Sequence, residues 1–450
     1  MKLKIFPISL GCPKNLVDTE KLLGSLAPMQ VVQTYNKAHI VFINTCGFIL
    51  TAVQESVQTI LDLAQDIQEL PPAKRPLLVV AGCLPGRYGI APLQAELPEV
   101  DLWLNLKNMS DWPALVKAAL EKRFDHEFQG LELITGRFLS TPPSYAYLKI
   151  SEGCEHKCAF CSIPIIRGPL HSFEPQKLVA EANQLVEQGV KELVLVAQDL
   201  TAYGHDRADW ENKRALPQLL QKLADIPNLA RLRLMYLYPT GLTREFLEFL
   251  RELGGPVLPY FDVPIQHSHP DILSRMGRPF AKNAEKTLNL IREIFPHAAL
   301  RTSLITGFPG EQEQHFEHLL NFVQKIQFDN LGVFSYQAEE GTKAALMPNE
   351  VPEDVRLARR DIIMQEQASI SEEKLKRYVG EHLEVLVDSP QGEWPGLFVG
   401  RTWFQAPEVD GSTYVSAPPE QTLDKKAIAP GSMVQAEITD SSEYDLNGLV

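Results

Sequence analysis

The stretch Gly153-Cys154-Glu155-His156-Lys157-Cys158-Ala159-Phe160-Cys161 holds three thiols at C-x3-C-x2-C spacing. A cubane iron–sulfur cluster ordinarily takes four protein thiolates. Three leave one iron without a protein ligand, and an open coordination position is where a small molecule can bind and react. Phe160, just before the last cysteine, is placed to shield such a cluster from water. Two other readings stand beside this one. A zinc site of three cysteines and a histidine would draw on His156 or His171. Structural zinc, however, favours paired C-x2-C or H-x3-H elements, and no second pair is present. Three buried structural thiols are the plainest alternative, because free cysteine is often simply buried.

The other cysteines are Cys12, Cys46 and Cys83, which brings the total to 6. Strand-like runs over 4–10, 39–44 and 77–81 each end one or two residues before one of them. Helical patterns lie between these runs: one starting near Asp18, with Thr19 and Glu20 in its first turn, and one over 51–70. Strand–helix alternation implies a doubly wound parallel sheet, whose ligands bind beyond the carboxyl ends of the strands. All three cysteines fall on that edge. The functional reading is a second cluster on Cys12, Cys46 and Cys83, again one ligand short. The two triples use every cysteine, so no thiol remains for a disulfide or a nucleophile.

Residues 133–144 contain Thr141-Pro142-Pro143-Ser144, a turn-rich join. Beyond it, strand-like runs recur over 145–150, 192–197, 231–238, 260–265, 300–305 and 331–336, with helical patterns between them. Six such units predict a partial (β/α)6 barrel with its site at the carboxyl ends of the strands. Those ends are polar and glycine-rich: Glu152-Gly153-Cys154, Gln198-Asp199, Tyr238-Pro239-Thr240, Gln266-His267, Thr306-Gly307 and Glu339-Glu340-Gly341. Glycine there lets the backbone approach a bound nucleoside closely. Gln266-His267 reads either as pocket lining or as a structural histidine.

A charged amphipathic helix over 351–379 leads into short alternating strands over 383–387, 397–403, 413–416 and 433–438. They predict a small all-β, OB-like barrel. From residue 380 onward there are twelve acidic side chains against three basic ones, Arg401, Lys425 and Lys426. Binding RNA through its phosphates needs the opposite sign. An acidic barrel suits a basic protein partner; a merely solvated acidic surface is the alternative.

The whole chain has 450 residues and a net charge of −14, with 44% hydrophobic and 22% charged side chains. At roughly 150 residues per domain, about three domains are expected. We place them at 1–135, 140–378 and 380–450. No apolar run is long enough for a membrane span, and residues 5–10, interrupted by Pro7, are too short for a signal peptide core. The expected setting is the cytoplasm.

Several stretches resemble the radical S-adenosylmethionine (SAM) methylthiotransferases over essentially the full length. They are Leu10-Gly11-Cys12-Pro13-Lys14-Asn15, Asn44-Thr45-Cys46-Gly47, Ala81-Gly82-Cys83-Leu84, the Cys154 loop, Ile165-Ile166-Arg167-Gly168, Gln198-Asp199 and Tyr444-Asp445-Leu446-Asn447-Gly448. Departures are Ser172-Phe173, where the family usually carries Ser-Arg, and His156, where Asn or Arg is commoner. The resemblance implies a cluster domain, a radical SAM barrel and a C-terminal TRAM domain. It implies two 4Fe-4S clusters, with SAM as co-substrate on the cluster held by Cys154, Cys158 and Cys161. Gly153, Phe160, Gln198 and Gly307 are the candidate residues of the SAM or cluster pocket. The Cys-Pro-Lys-Asn stretch and the acidic final barrel favour the branch that methylthiolates an aspartate β-carbon in the twelfth small-subunit ribosomal protein. That branch implies the protein or its ribosome as partner, with an external reductant and sulfur donor. The rivals are the tRNA-adenosine branch and a non-catalytic iron–sulfur protein.

Overall fold

Two short runs form the centre of the first domain, β3 (Ile40–Thr45) and β4 (Leu77–Gly82), and all six residues of each are buried. A parallel strand buried on both faces needs such continuous apolar sequence. In the computed structural model, which describes residues 2–124, 128, 130–210, 214–278, 284–417 and 428–450, they pair in register, Ile40 opposite Leu77. On the other side of β3 lies β1 (Leu3–Ser9), followed by β2 (Met29–Val31); β5 (Leu102–Trp103) adds to β4. The sheet order is β2-β1-β3-β4-β5, all parallel. This is the doubly wound order with its switch point between β1 and β3. Strands β2 and β5 are three and two residues long and leave no run in the sequence.

Helix α1 (Pro13–Gly24) starts earlier than the sequence pattern predicts. Pro13 at its first position supplies the helical φ and needs no donor, so the helix begins directly after Cys12. Asp18, Thr19 and Glu20 therefore lie mid-helix, and all are buried. Helix α2 (Leu50–Glu69) follows β3, and α3 (Cys83–Tyr88) follows β4.

The middle domain has strands β6 (Tyr145–Lys149), β7 (Glu192–Val196), β8 (Arg231–Leu234), β9 (Tyr260–Asp262), β10 (Ala299–Thr306) and β11 (Asn330–Ser335). They pair in parallel as β6-β7-β8 and β9-β10-β11. A bridge from Leu232 to Val257 and the bond from Leu237 N–H to the Asp262 carbonyl join the two halves. The result is the predicted open six-stranded half-barrel, with helices packed outside on an apolar core that includes Leu148, Leu195, Leu232 and Leu300.

Helix α4 (Glu353–Lys376) connects to a closed barrel of β12 (His382–Pro390), β13 (Leu397–Arg401), β14 (Thr413–Ser416), β15 (Met433–Ser441) and β16 (Leu446–Leu449). Its 402–410 segment reaches into the lower end of the half-barrel. Tyr145 and Tyr147 hydroxyls donate to Glu408, at 2.9 and 3.2 Å, and the Tyr260 hydroxyl donates to Asp410 at 2.6 Å. Glu192 on β7 bonds both Arg233 (2.6 Å) and Arg401 (2.8 Å), so the two barrels share a buried charge cluster. Lys425 and Lys426, counted in the charge of this domain, lie outside the described residues. Among the described residues no helix is long and apolar enough to cross a membrane.

Candidate functional site

Cys12, Cys46 and Cys83 each begin the connection after a strand, and Cys12 and Cys46 flank the switch point. Gly11 has φ +85°, and a β-carbon there would lie 2.8 Å from the Cys46 β-carbon. At Gly47 a β-carbon would lie 2.9 Å from the Cys83 carbonyl carbon. The three loops are thus in direct contact, which only glycine permits at these points. Asn15 ties them together, donating to the carbonyls of Leu10 and Thr45, both at 2.9 Å. Burial alone would raise the Cys12 thiol, but Lys14, Arg167 and two backbone N–H groups hold it below its usual value. Burial pushes Cys46 up to about 11 and raises Cys83.

The second triple lies on the loop after β6. The Cys154 Sγ accepts the His156 N–H at 3.4 Å, and the Arg278 guanidinium reaches the Cys158 Sγ at 3.6 Å. Arg278 also lies over the Tyr238 ring, and Tyr238 stacks on the His156 ring at 3.8 Å. His156 Nε2 is 2.7 Å from Asp199 Oδ2. Burial, with the neighbouring thiols, pushes Cys154 up to about 11 and Cys161 up to about 12.

The two triples meet across one seam. The Ser162 hydroxyl, next to Cys161, donates to the carbonyl of Phe48, two residues past Cys46, at 3.1 Å. Deeper in, Arg167 bonds Glu152 (2.8 Å), Asp18 (3.4 Å) and the Asn15 side chain, and touches the Cys83 Sγ at 3.4 Å. Lys149 bonds Asp18 and, at 2.7 Å, Glu152. Lys14 donates to the Ala197 carbonyl at 3.3 Å and lies over the Tyr236 ring. Burial alone would raise Glu152, yet Lys149 and Arg167 hold it far below the ordinary carboxylate range. These buried groups compensate one another, as buried charges must.

Of the candidate pocket residues, Gln198 reaches this seam directly. Gln198 donates to Glu152 at 2.7 Å, and its carbonyl oxygen is buried without a partner. Phe160 packs against a cluster with Phe308, Tyr336 and Met276 beside Cys158 and Cys161. Gly153 has φ +75°, and a β-carbon there would sit 2.0 Å from the Pro169 carbonyl oxygen, so the chain passes close to its return segment. Gly307 lies beneath the Arg356 side chain, where a β-carbon would come within 2.0 Å of it. His267 is fully buried, with its Nδ1 accepting the His269 N–H at 2.9 Å and its Nε2 3.4 Å from Glu311. That is the structural alternative of the two readings. Sequence reasoning missed Lys149 and Arg278; the one local signal was a lysine inside the apolar β6.

The donor sets suit a cluster better than a single ion. Among the described residues, only His269, Asp271 and His315 bring three ligand atoms within 4.8 Å of one another. Each cysteine set offers three thiols, the ligand type that holds iron–sulfur clusters. In the histidine group, each ring Nδ1 accepts a backbone N–H, His269 from Asp271 at 3.2 Å and His315 from Gln312 at 2.9 Å. The neutral rings then carry their proton on Nε2, which removes the remaining lone pair from metal binding.

The Radical SAM superfamily matches residues 148–323, the TRAM domain residues 379–450, and the Uncharacterized protein family UPF0004 residues 4–105. The chain is 54% identical to the ribosomal protein uS12 methylthiotransferase RimO of Nitratidesulfovibrio vulgaris (strain DP4), over 100% of both chains. The chain belongs to the RimO family. RimO of Lawsonia intracellularis is 53% identical over 99% of this chain and 98% of its own length. RimO of Geobacter sulfurreducens is 41% identical over 99% and 98%. A solved structure of the radical SAM methyltransferase TsrM from Kitasatospora setae superposes with TM-score 0.54 at 14% identity, covering 89% of this chain and 81% of TsrM. That likeness shows the fold alone. The three matched families follow one another along the chain in the order of the parallel sheet, the half-barrel and the closed barrel.

Proposed function

We propose that this chain methylthiolates the β-carbon of an aspartate in ribosomal protein uS12, using SAM and two 4Fe-4S clusters. Cys154, Cys158 and Cys161 would hold one cluster, and Cys12, Cys46 and Cys83 the other. When bound, these groups would pass on an electron from an external reductant, supply a carbon-centred radical able to take hydrogen from an unactivated carbon, present sulfur from an external donor, and, from a second SAM, provide the methyl group. The chain's own residues do the rest. The sheet edge and the barrel mouth bring the two sets of thiols to one seam, and reaction between separate centres depends on such proximity. Phe160, Phe308 and Tyr336 form an apolar wall beside the second triple that would limit the approach of water. Lys14 and Arg167 favour the thiolate of Cys12, the form that binds metal.

One observation carries this reading: the Ser162–Phe48 bond, which sets the loop of one triple against the loop of the other. The relatives do not favour the tRNA alternative. A basic ribosomal protein suits the acidic C-terminal barrel, and reductant and sulfur donor would come from outside, in the cytoplasm. The test is anaerobic reconstitution with iron and sulfide, then reaction with SAM, reductant, sulfide and either uS12 or tRNA, followed by the mass of each product. A methylthio group on uS12 supports the proposal; its appearance on tRNA adenosine instead overturns it.

A further inference from the structure

The 339–344 loop, which follows β11, contacts both triples from outside the seam. On one side, the Ala344 N–H donates to the carbonyl of Ala159, between Cys158 and Cys161, at 2.8 Å. On the other side, Glu339 enters the first domain. Its Oε1 accepts the N–H of Leu50 at 2.9 Å, capping a helix that has no cap of its own. Its Oε2 pairs with Arg87 at 2.9 Å, and both side chains are only 5% exposed. Arg87 stands one turn past Cys83 and donates also to the carbonyls of Gly47 (2.9 Å), Phe48 (3.4 Å) and Glu340 (3.2 Å). One ion pair thus fastens the Cys83 helix, the Cys46 loop and the last loop of the half-barrel. The loop is closed on itself by Thr342, whose hydroxyl donates to the Glu339 carbonyl at 2.7 Å.

We infer that the 339–344 loop is a strap that sets the spacing between the two cysteine triples, with Arg87 and Glu339 as its positioning residues. The inference rests on the proposed two-centre function. A buried ion pair adds little net stability over an apolar pair of similar size, while it fixes geometry strongly. Both side chains are buried and spend their polar groups on each other and on backbone atoms. Loosening the pair should therefore spare the chemistry confined to one triple and harm the step that needs both.

The test uses the full chain, reconstituted anaerobically, as wild type, Glu339→Gln and the double variant Arg87→Met/Glu339→Leu. Two quantities are read: the magnetic interaction between the two reduced clusters in frozen solution, and the deoxyadenosine released per methylthio product. In the double variant, iron uptake and deoxyadenosine release should stay near wild type. The intercluster interaction should weaken, and the ratio should rise on the order of tenfold to a hundredfold. Glu339→Gln, which keeps the shape of the loop, should move both readouts the same way, and it decides the matter if the double variant fails to load iron. Unchanged interaction and ratio, or cleavage and product falling in step, overturn the inference. If wild type makes no methylthio product yet its intercluster interaction weakens in the variants, the proposed function fails and the strap stands.

Discussion

The Arg167 guanidinium lies 3.4 Å from the Cys83 Sγ and 2.8 Å from the Glu152 carboxylate, so one side chain touches both the first triple and the segment leading into Cys154. Its removal leaves Lys149 as the cation directly bonded to the buried Glu152 and Asp18 carboxylates. Arg167→Met should cost about 3–5 kcal/mol, the usual penalty for breaking a buried charge cluster. Arg167→Lys should recover part of it, since lysine keeps the charge and loses the fork. Urea unfolding of the apoprotein measures both.

Replacing Cys154, Cys158 and Cys161 together with Ala should abolish SAM cleavage and leave iron on the other triple. Continued cleavage would remove that triple from the reaction. The counterpart, Cys46→Ala, should still cleave SAM and make no thioether. Iron content and chromatography of deoxyadenosine separate the two results.

At Gly153, φ is +75° and a β-carbon would overlap the Pro169 carbonyl oxygen. Gly153→Ala should destabilise the protein by about 1–3 kcal/mol from backbone strain alone. It should also reduce SAM cleavage, because Cys154 is the next residue. The midpoint of thermal unfolding and the cleavage rate should fall together. An unchanged midpoint would refute the steric account.

Glu192 carries a pH signature. Burial would raise its pKa, but Arg233, Arg401 and Arg231 bring it down to about 2. A depressed folded-state value means the stabilisation is complete above the unfolded value and is lost as pH falls through the folded one. The contribution is about 3 kcal/mol, lost between roughly pH 4.5 and pH 2. In urea unfolding, the stability advantage of wild type over Glu192→Gln should shrink across that window. A constant difference down to pH 2 would contradict the assignment.

The long central strands and the β-rich end were legible because each is written in a local run, and the positions of Cys12, Cys46 and Cys83 after strands followed from those runs. The start of α1 was misplaced because Asp18-Thr19-Glu20 looks like a first turn, whereas Pro13 had already set the helix. The short strands β2 and β5, and with them the position of the switch point, left no periodicity to read. The charged seam is a product of tertiary pairing. Lys149 meets Asp18 across 131 residues of chain, and Arg87 meets Glu339 across 252. No local pattern announces such partners, although a lysine in an otherwise apolar strand is a sign that one exists.

The 402–410 segment works as a stopper. With the hydroxyls of Tyr145, Tyr147 and Tyr260 bonded to Glu408 and Asp410, the floor of the half-barrel is occupied by the small domain. The last domain is thus bolted to the foot of the strands that carry the Cys154 loop, so a disturbance in the small barrel is felt at the base of the half-barrel as well as at its own surface.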